Sequence, residues 1–550
     1  MEILAHERTL MSTFLEPTKE LGYSHIFLDF LKKTDKIKSY YPAESLESVA
    51  QKLQAKEFDR NNLADILTSQ NKLFGSSQLT FDNIEKLRNK DSIVVATGQQ
   101  AGLFGGSLLI LIKALAIVKS AKEYEAELNQ PVIPIFWIAG DDHDFEEVNH
   151  TYTLDRNSDI IKVTYDTTPE VQLPTSELIF KNQEALDLAK EELKNSLGNT
   201  DFTPELYELI DQCYTSTESY TTAFGKIMAS LTKDYGLVLF SPSDPKVKKL
   251  AIPFFKSIIE KQTELHQLLD KTNSNLQTDN YHTQVEKSEN SVHLFYNLDG
   301  RKPILQSGDK FAVGDKIFSK DEILSAIEEH PEKFSPDVMT RPLWQSLLFP
   351  VVSQKGGAAE IAYLAQIHKL FPLFDIVLPY YKARPTLTVI EKRYESLMDT
   401  HHINFEDLVG DIEVLINRIL FESFPDNLEQ KMKDLNSSIK NKFEDFTKDS
   451  ISFDNSLERF AEQIFGKIEH NLNAFESKVF AAHKKKSKES RDRIYRLWYS
   501  LYPNRTFQER VLNVSYFISR YSFNFIPFLY DQIESEQSKH KLVYLSEMEQ

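Results

Sequence analysis

Ten residues, DDHDFEEVNH at 141–150, concentrate more potential chemistry than any other stretch of this 550-residue chain. Asp141, Asp142, Asp144, Glu146 and Glu147 surround His143, and Asn149 and His150 close the run. A histidine among carboxylates can serve as base, acid or metal ligand, and a neighbouring carboxylate raises its pKa. The spacing is not HExxH, and Cys213 is the lone cysteine, so a structural zinc site is not expected. An acid-rich loop beside nucleotide phosphates can hold Mg2+, although the spacing alone does not require it. An acidic helix start would account for Glu146 and Glu147 but not for the whole cluster.

A second group is GQQAGLFGG at 98–106, with glycines at Gly98, Gly102, Gly105 and Gly106. It matches neither GxGxxG nor GxxxxGK[ST], so neither a dinucleotide fingerprint nor a phosphate loop is supported. Its glycines permit close backbone approach, and the helix start that follows offers N–H groups to an anion. Gln99 and Gln100 either hydrogen-bond a polar ligand or sit on the surface of a tight turn. The third group spans 339–367. Arg341 precedes a proline, which suggests an extended entry. KGGAAEIAYL then places Glu360 and Tyr363 three residues apart on one helix face. Arg341, Lys355 and Arg384 are cations able to meet a carboxylate or phosphate, or plain surface charges.

These groups need elements to hold them. SIVVAT at 92–97 and VIPIFWIAG at 132–140 read as buried strands, and an apolar helix over 107–128 joins them. The result is a βαβ unit with both polar loops leaving carboxyl ends, where open α/β sheets bind ligands. Helices are expected over 45–58 and 62–73, an acidic helical insertion over 181–199 and a helix over 218–234. Further strands are expected over 160–165, 292–298 and 311–313, a buried strand followed by a loop over 236–244, and a last core strand at 375–379.

Beyond Thr386 glycine nearly vanishes and apolar residues fall at helical spacing. Leu428, Met432, Leu435, Ile439, Phe443 and Phe446 form one stripe; Leu457, Phe460, Ile464, Ile468, Leu472, Phe475 and Val479 form another. The pair reads as an antiparallel coiled-coil arm that dimerises or braces another domain, or as two helices of a compact bundle. The basic run at 483–493 is a solvated helix face or a phosphate contact. In PNRTFQERVLN at 503–513, proline ends a helix at Tyr502, and Thr506 is placed to cap a new one with Glu509 in a capping box. The expected organisation is a helical part (1–90), an α/β core (91–386), an arm (387–500) and a helical return to the core (501–550).

A formal net charge of -18 argues against general nucleic-acid binding. The start MEILAHERTL lacks the pattern of a signal peptide, and no apolar run approaches the ~20 residues of a membrane span. With a single cysteine, a cytoplasmic protein is expected.

At TGQQAGLFGG, WIAGDDHDFEEVNH, MTRPLWQSLLFP, GGAAEIAYL and PNRTFQERVLN, in this order, the chain resembles the bacillithiol-biosynthesis family BshC, the cysteine ligases. The resemblance implies a Rossmann-like, class I synthetase-like core with inserted connecting segments and a long α-helical coiled coil associated with dimers. It implies amide formation between cysteine and glucosaminyl-malate, with ATP activating the carboxylate and ATP or ADP bound. Matching pocket positions are Thr97, Gly98, Gln99, Gln100, Gly102, Asp142, His143, Asp144, Asn149, His150, Arg341, Glu360 and Tyr363. In this reading the glycine loop and helix start hold phosphate, and Gln100 belongs to the catalytic set. His143, held by Asp142 or Asp144, takes the proton of the glucosaminyl ammonium, and Arg341 binds the malate carboxylates. The C-terminal motif implies adenine-nucleotide contacts by Trp498, Arg505, Arg510 and Asn513. A homodimer is expected. The rival is a non-catalytic dimer that binds nucleotide or substrate and assists another enzyme.

Overall fold

The structure, a computed structural model, describes residues 14–42, 45–286, 288 and 290–548; the opening MEILAHERTL lies outside them. The elements that matter to the site are β1 (Ile93–Gln99), α1 (Leu108–Leu128), β2 (Val132–Ile138), α2 (Phe145–Val148), β3 (Val238–Phe240), α3 (Arg341–Leu348), β4 (Val351–Gly356), α4 (Ala358–Ile367) and β5 (Tyr380–Ala383). The five strands form one parallel sheet in the order β5-β4-β1-β2-β3. Runs of Val, Ile and aromatic residues suit strands covered on both faces, and every residue of β2 is buried. The chain proceeds outward from β1 to β3, then returns to place β4 on the other side of β1. That reversal is a topological switch point, the crevice where such sheets bind ligands.

Three further sheets accompany it. Residues 291–319 and Phe334–Pro336 form a five-stranded antiparallel insertion, and His150–Leu154 pairs with Ile160–Thr164. The third joins Phe14–Leu15, His540–Tyr544 and Thr386–Ile390.

The chain divides into two compact units. One comprises the residues up to Ile390 and again from Thr506 onward; the other is Glu391–Arg505. In the second unit, α5 (Asp426–Phe453) and α6 (Glu458–Lys486) are joined by the short turn Asn455–Leu457, and Phe443 meets Phe465 at 5.4 Å between ring centroids. No described residue of either helix is buried, which fits an extended coiled coil rather than a compact bundle. The basic run is partly tied down at the base of this arm, where Lys484 and Arg491 pair with Glu413.

Three local expectations are corrected. Residues 375–379 form no strand; the ladder begins at Tyr380. Asp375 lies in the left-handed region (φ 57°), and Ile376 N–H bonds back to Phe371, so this segment ends a helix instead. Arg341 is not extended but is the first residue of α3. The Asp337 carboxylate accepts from the amides of Met339 and Thr340, and Arg341 N–H bonds the Asp337 carbonyl, so the helical turn is set before Pro342. A proline in a first turn costs no helical hydrogen bond. Finally, Phe507 rather than Thr506 caps the short helix Gln508–Val511. Glu509 does not reach back to a cap, because its carboxylate accepts from Arg384 (2.8 Å) and from the Leu387 amide (2.9 Å).

Candidate active site

The carboxyl ends of β1, β2 and β4 open into one cavity of about 650 Å³. Gly98, Gln99 and Gln100 come from β1 and its loop, Asp141, Asp142, His143 and Glu147 from the loop and α2 after β2, and Glu360 and Tyr363 from α4. The two polar loops therefore share a single site, and Gln100 Nε2 donates to Asp142 Oδ2 at 2.6 Å. A smaller cavity of about 290 Å³ adjoins it, and Gln99, Gln100, Leu109, Glu147 and Arg510 line both. Gly102 and His150 face the smaller one.

Glycine at 98 has a packing reason. A Cβ there would meet the Trp137 carbonyl oxygen of the neighbouring strand at 2.7 Å. Gly106 adopts φ +70°, and a Cβ would fall 2.4 Å from Ile110 Cδ1. Part of the loop's backbone is already engaged. The amides of Gly102, Gly105, Gly106 and Leu108 already donate to Gln100 O, Tyr214 Oη, Leu103 O and Leu512 O. These four N–H groups are therefore not offered to phosphate, which narrows the expectation for the loop and helix start.

Anion-binding capacity resides in side chains instead. Lys113 Nζ, 3% exposed, sits between Gly98 O (2.9 Å), Gln99 Oε1 (2.9 Å) and Glu360 Oε2 (3.0 Å). Burial pulls the Lys113 ammonium down, opposed by Glu360. Burial alone would raise Glu360, but Lys113 and the Gly357 amide outweigh it and hold the carboxyl below its ordinary range. Arg341 donates only to neutral groups, Gln345 Oε1 (2.9 Å) and Tyr363 Oη (3.2 Å), so its charge faces the cavity without a carboxylate bonded to it. Arg384 and Arg510 line the same cavity, with Arg384 paired to buried Glu509.

The acid cluster is largely committed. Asp141 accepts from Lys248 Nζ (2.7 Å) and Ser243 Oγ (2.8 Å). Asp144 caps α2 through the Glu147 amide and does not line either cavity. Asn149 Oδ1 pairs with His150 Nδ1 at 3.0 Å, and burial lowers His150. His143 is not held by a carboxylate: its Nδ1 is 3.8 Å from Asp142 Oδ1 but 2.7 Å from Arg301 Nη1. Burial first, and Arg301 second, lower its pKa, the reverse of the shift expected from its acidic neighbours. Thr97 is buried in β1, with its hydroxyl donating to Lys355 O. Lys355 is buried away from the cavity lining, hydrogen-bonded to Ser535 O and pushed down to about 7 by burial.

Of the four nucleotide candidates, Arg510 lines both cavities, whereas Asn513 is buried and donates to Phe104 O, Gly106 O and Thr151 Oγ1, bracing the loop. Trp498 and Arg505 belong to the helical unit, where Trp498 Nε1 donates to Leu408 O. Among the described residues, no three His, Cys, Asp or Glu side chains converge as a metal set. None of the described helices is long and apolar enough to cross a membrane.

Sequence reasoning missed Lys113, Lys248 and Arg301. Lys113 carried a signal: it is the one charge within the apolar run 108–118. Lys248 and Arg301 carried none, because only the tertiary fold brings them to the cluster from 107 and 158 residues away.

A parallel sheet with a polar cavity at its switch point defines a Rossmann-like ligand-binding core, here joined to a coiled coil. Residues 12–385 match the family model for the bacillithiol biosynthesis BshC N-terminal Rossmann-like domain, and 387–545 match its C-terminal coiled-coil domain. The chain belongs to the BshC family. It is 30% identical over 533 residues to a relative from Geobacillus kaustophilus, covering 93% of this chain and 97% of that one. A relative from Bacillus cytotoxicus is 29% identical over 529 residues, covering 94% and 97%. Both relatives bear the name "Putative cysteine ligase BshC". The coiled-coil match runs to 545, yet the contacts return Thr506 and the residues after it to the core.

Proposed function

We propose that this chain is an amide-forming ligase that joins cysteine to glucosaminyl-malate in bacillithiol biosynthesis. A free carboxylate and an ammonium do not condense without activation, so ATP is taken to convert the cysteine carboxylate into an adenylate or acyl phosphate. The observation that carries this reading is the shared cavity at the switch point, with Arg341, Arg384 and Arg510 and the carboxylates Asp142 and Glu147 in its lining. The malate carboxylates suit Arg341 and Arg510 as charge-assisted partners. Substrate ammonium groups suit Asp142 and Glu147.

Phosphate charge falls to the cationic side chains, since the loop amides named above are engaged. Magnesium, where it takes part, accompanies the nucleotide, because Asp141 and Glu360 already hold Lys248 and Lys113. Nucleotide contact through Arg510 and dimer formation through α5 and α6 belong to the same proposal.

The test is a reconstituted reaction of the full chain with cysteine, glucosaminyl-malate and ATP, following bacillithiol together with AMP or ADP. Stoichiometric product and nucleotide cleavage are expected. No product from folded protein rejects the ligase and leaves a dimer that assists another enzyme.

A further inference from the structure

We propose that the site divides its proton work: Glu147 is the carboxylate that takes the proton, and His143, oriented by Arg301, is a fixed hydrogen-bond donor. The source of the proton, an incoming substrate ammonium, rests on the ligase reading above.

Arg301 fixes the state of His143. It comes from the antiparallel insertion, is 6% exposed, and lies 3.7 Å from the centroid of the Phe295 ring. Its Nε donates to Ser335 Oγ (3.0 Å) and Nη2 to Pro336 O (3.2 Å), which aims Nη1 at His143 Nδ1 (2.7 Å). A guanidinium has donors only, so Nδ1 must be the acceptor and the imidazole proton must reside on Nε2. A histidine whose bare nitrogen is occupied by a cation is a poor base. Its Nε2–H remains a donor.

Elimination then selects Glu147. Asp141 is paired with Lys248, Glu360 with Lys113 and Asp337 with His293. Asp142 accepts from Gln100 and the His143 amide and lies 3.9 Å from Arg301. Glu147 is the one carboxylate of the cavity lining, among the described residues, with no cationic partner in an ion pair. It also sits on the wall common to both cavities, where two substrates can meet. Glu147 keeps exposed surface, so its burial is partial; that partial burial, with Asp144 and Asp142 adding to it, raises its carboxyl, and Gln100 and Lys113 oppose the shift. Arg301, Asp142 and Asp144 are the charges that face His143.

In the step, a Glu147 oxygen forms an O–H bond as the substrate N–H bond breaks. The electron pair left on nitrogen attacks the activated carbonyl carbon, the phosphate-bearing group leaves with the acyl–oxygen bonding pair, and the second N–H proton that the amide must lose passes to an oxygen of that departing group. Glu147→Gln should lower kcat about 10²- to 10⁴-fold with KM little changed, and remove the acid limb of the pH profile. Glu147→Asp should recover part of the loss. His143→Gln, which keeps an N–H donor, should retain more activity than Glu147→Gln.

The decisive measurement also works without turnover. Nitrogen-15 spectra of the full chain, assigned by difference with His143→Gln, should show His143 protonated at Nε2 and bare at Nδ1 at neutral pH. Arg301→Lys should blur that preference in protein with an unchanged melting curve. Carbon-13 titration should place the Glu147 carboxyl above ordinary glutamates. A protonated Nδ1, an ordinary Glu147 titration, or wild-type kcat in Glu147→Gln overturns the proposal. Absence of product from the wild-type chain instead rejects the ligase reading, and the two spectra then decide the proton assignment alone.

Discussion

Helices α1 and α6 use their apolar residues in opposite ways. In α1, residues 108–118 are buried without interruption, and the single charge among them, Lys113, is anchored by the β1 backbone and Glu360. In α6, 29 residues long, none is buried, and Phe460 and Phe475 stand 61% and 60% exposed. Both sequences show regular apolar spacing. What separates them is the opposite face: apart from Lys113, α1 has nothing polar over its first three turns, whereas α6 is charged on every side but one. A helix of the first kind demands surrounding structure and can hold a cation where water cannot reach it. A helix of the second kind stands largely in solvent and lays its stripe against a neighbouring helix, as α6 does with α5.

The largest effect should come from breaking the buried charge. Lys113→Met leaves Glu360 without its cation, and removing one partner of a buried pair costs about 3–5 kcal/mol. Chemical denaturation should show that loss, whereas a change below about 1 kcal/mol would mean the pair is hydrated and the cavity more open than described.

This contrast also explains how much the sequence could tell. The strands at 92–97 and 132–140 and the arm stripes were legible because they are periodic or continuous, and periodicity is a local property. That 98–102 and 141–150 share a site followed from both leaving carboxyl ends of adjacent strands. Arg301 facing His143 was not legible, because an inserted sheet delivers it. Nor was Glu509, whose position three after Thr506 looked like a capping box while its true partner, Arg384, lies 125 residues away. The 375–379 run failed for a related reason: four of its five residues are apolar, yet a left-handed Asp375 turns it out of the sheet.

A second, smaller effect concerns pH. His540 is fully buried, and burial, reinforced by Arg384, pushes it down to about 3. An unfolded histidine titrates near 6.5, so below that pH the unfolded chain binds a proton the folded chain refuses. Stability should therefore fall as pH drops from about 6.5 toward 3, by about 1.4 kcal/mol per pH unit from this group. Melting curves at pH 7 and pH 5 should differ accordingly, and His540→Gln should flatten the slope. An equal slope in the variant would assign the acid sensitivity to other groups.

The smallest effect on core stability should come from the arm. Ile464→Asp with Ile468→Asp places charges on half-exposed positions, so core melting should move by only about 0.5 kcal/mol. Sedimentation should respond strongly, with a dimer giving way to single chains. An unchanged sedimentation coefficient would leave the stripe without a partner of its own kind.

The central prediction is that the cavity takes the acceptor substrate through Arg341 and Arg510. Isothermal titration of glucosaminyl-malate into the wild-type chain, Arg341→Ala and Arg510→Ala tests this without requiring turnover. The prediction is saturable one-to-one binding to the wild type, weakened by about 2 kcal/mol or more in each variant, as for loss of one member of a buried charge pair. Equal affinity in all three folded proteins, or no binding to the wild type, would contradict it.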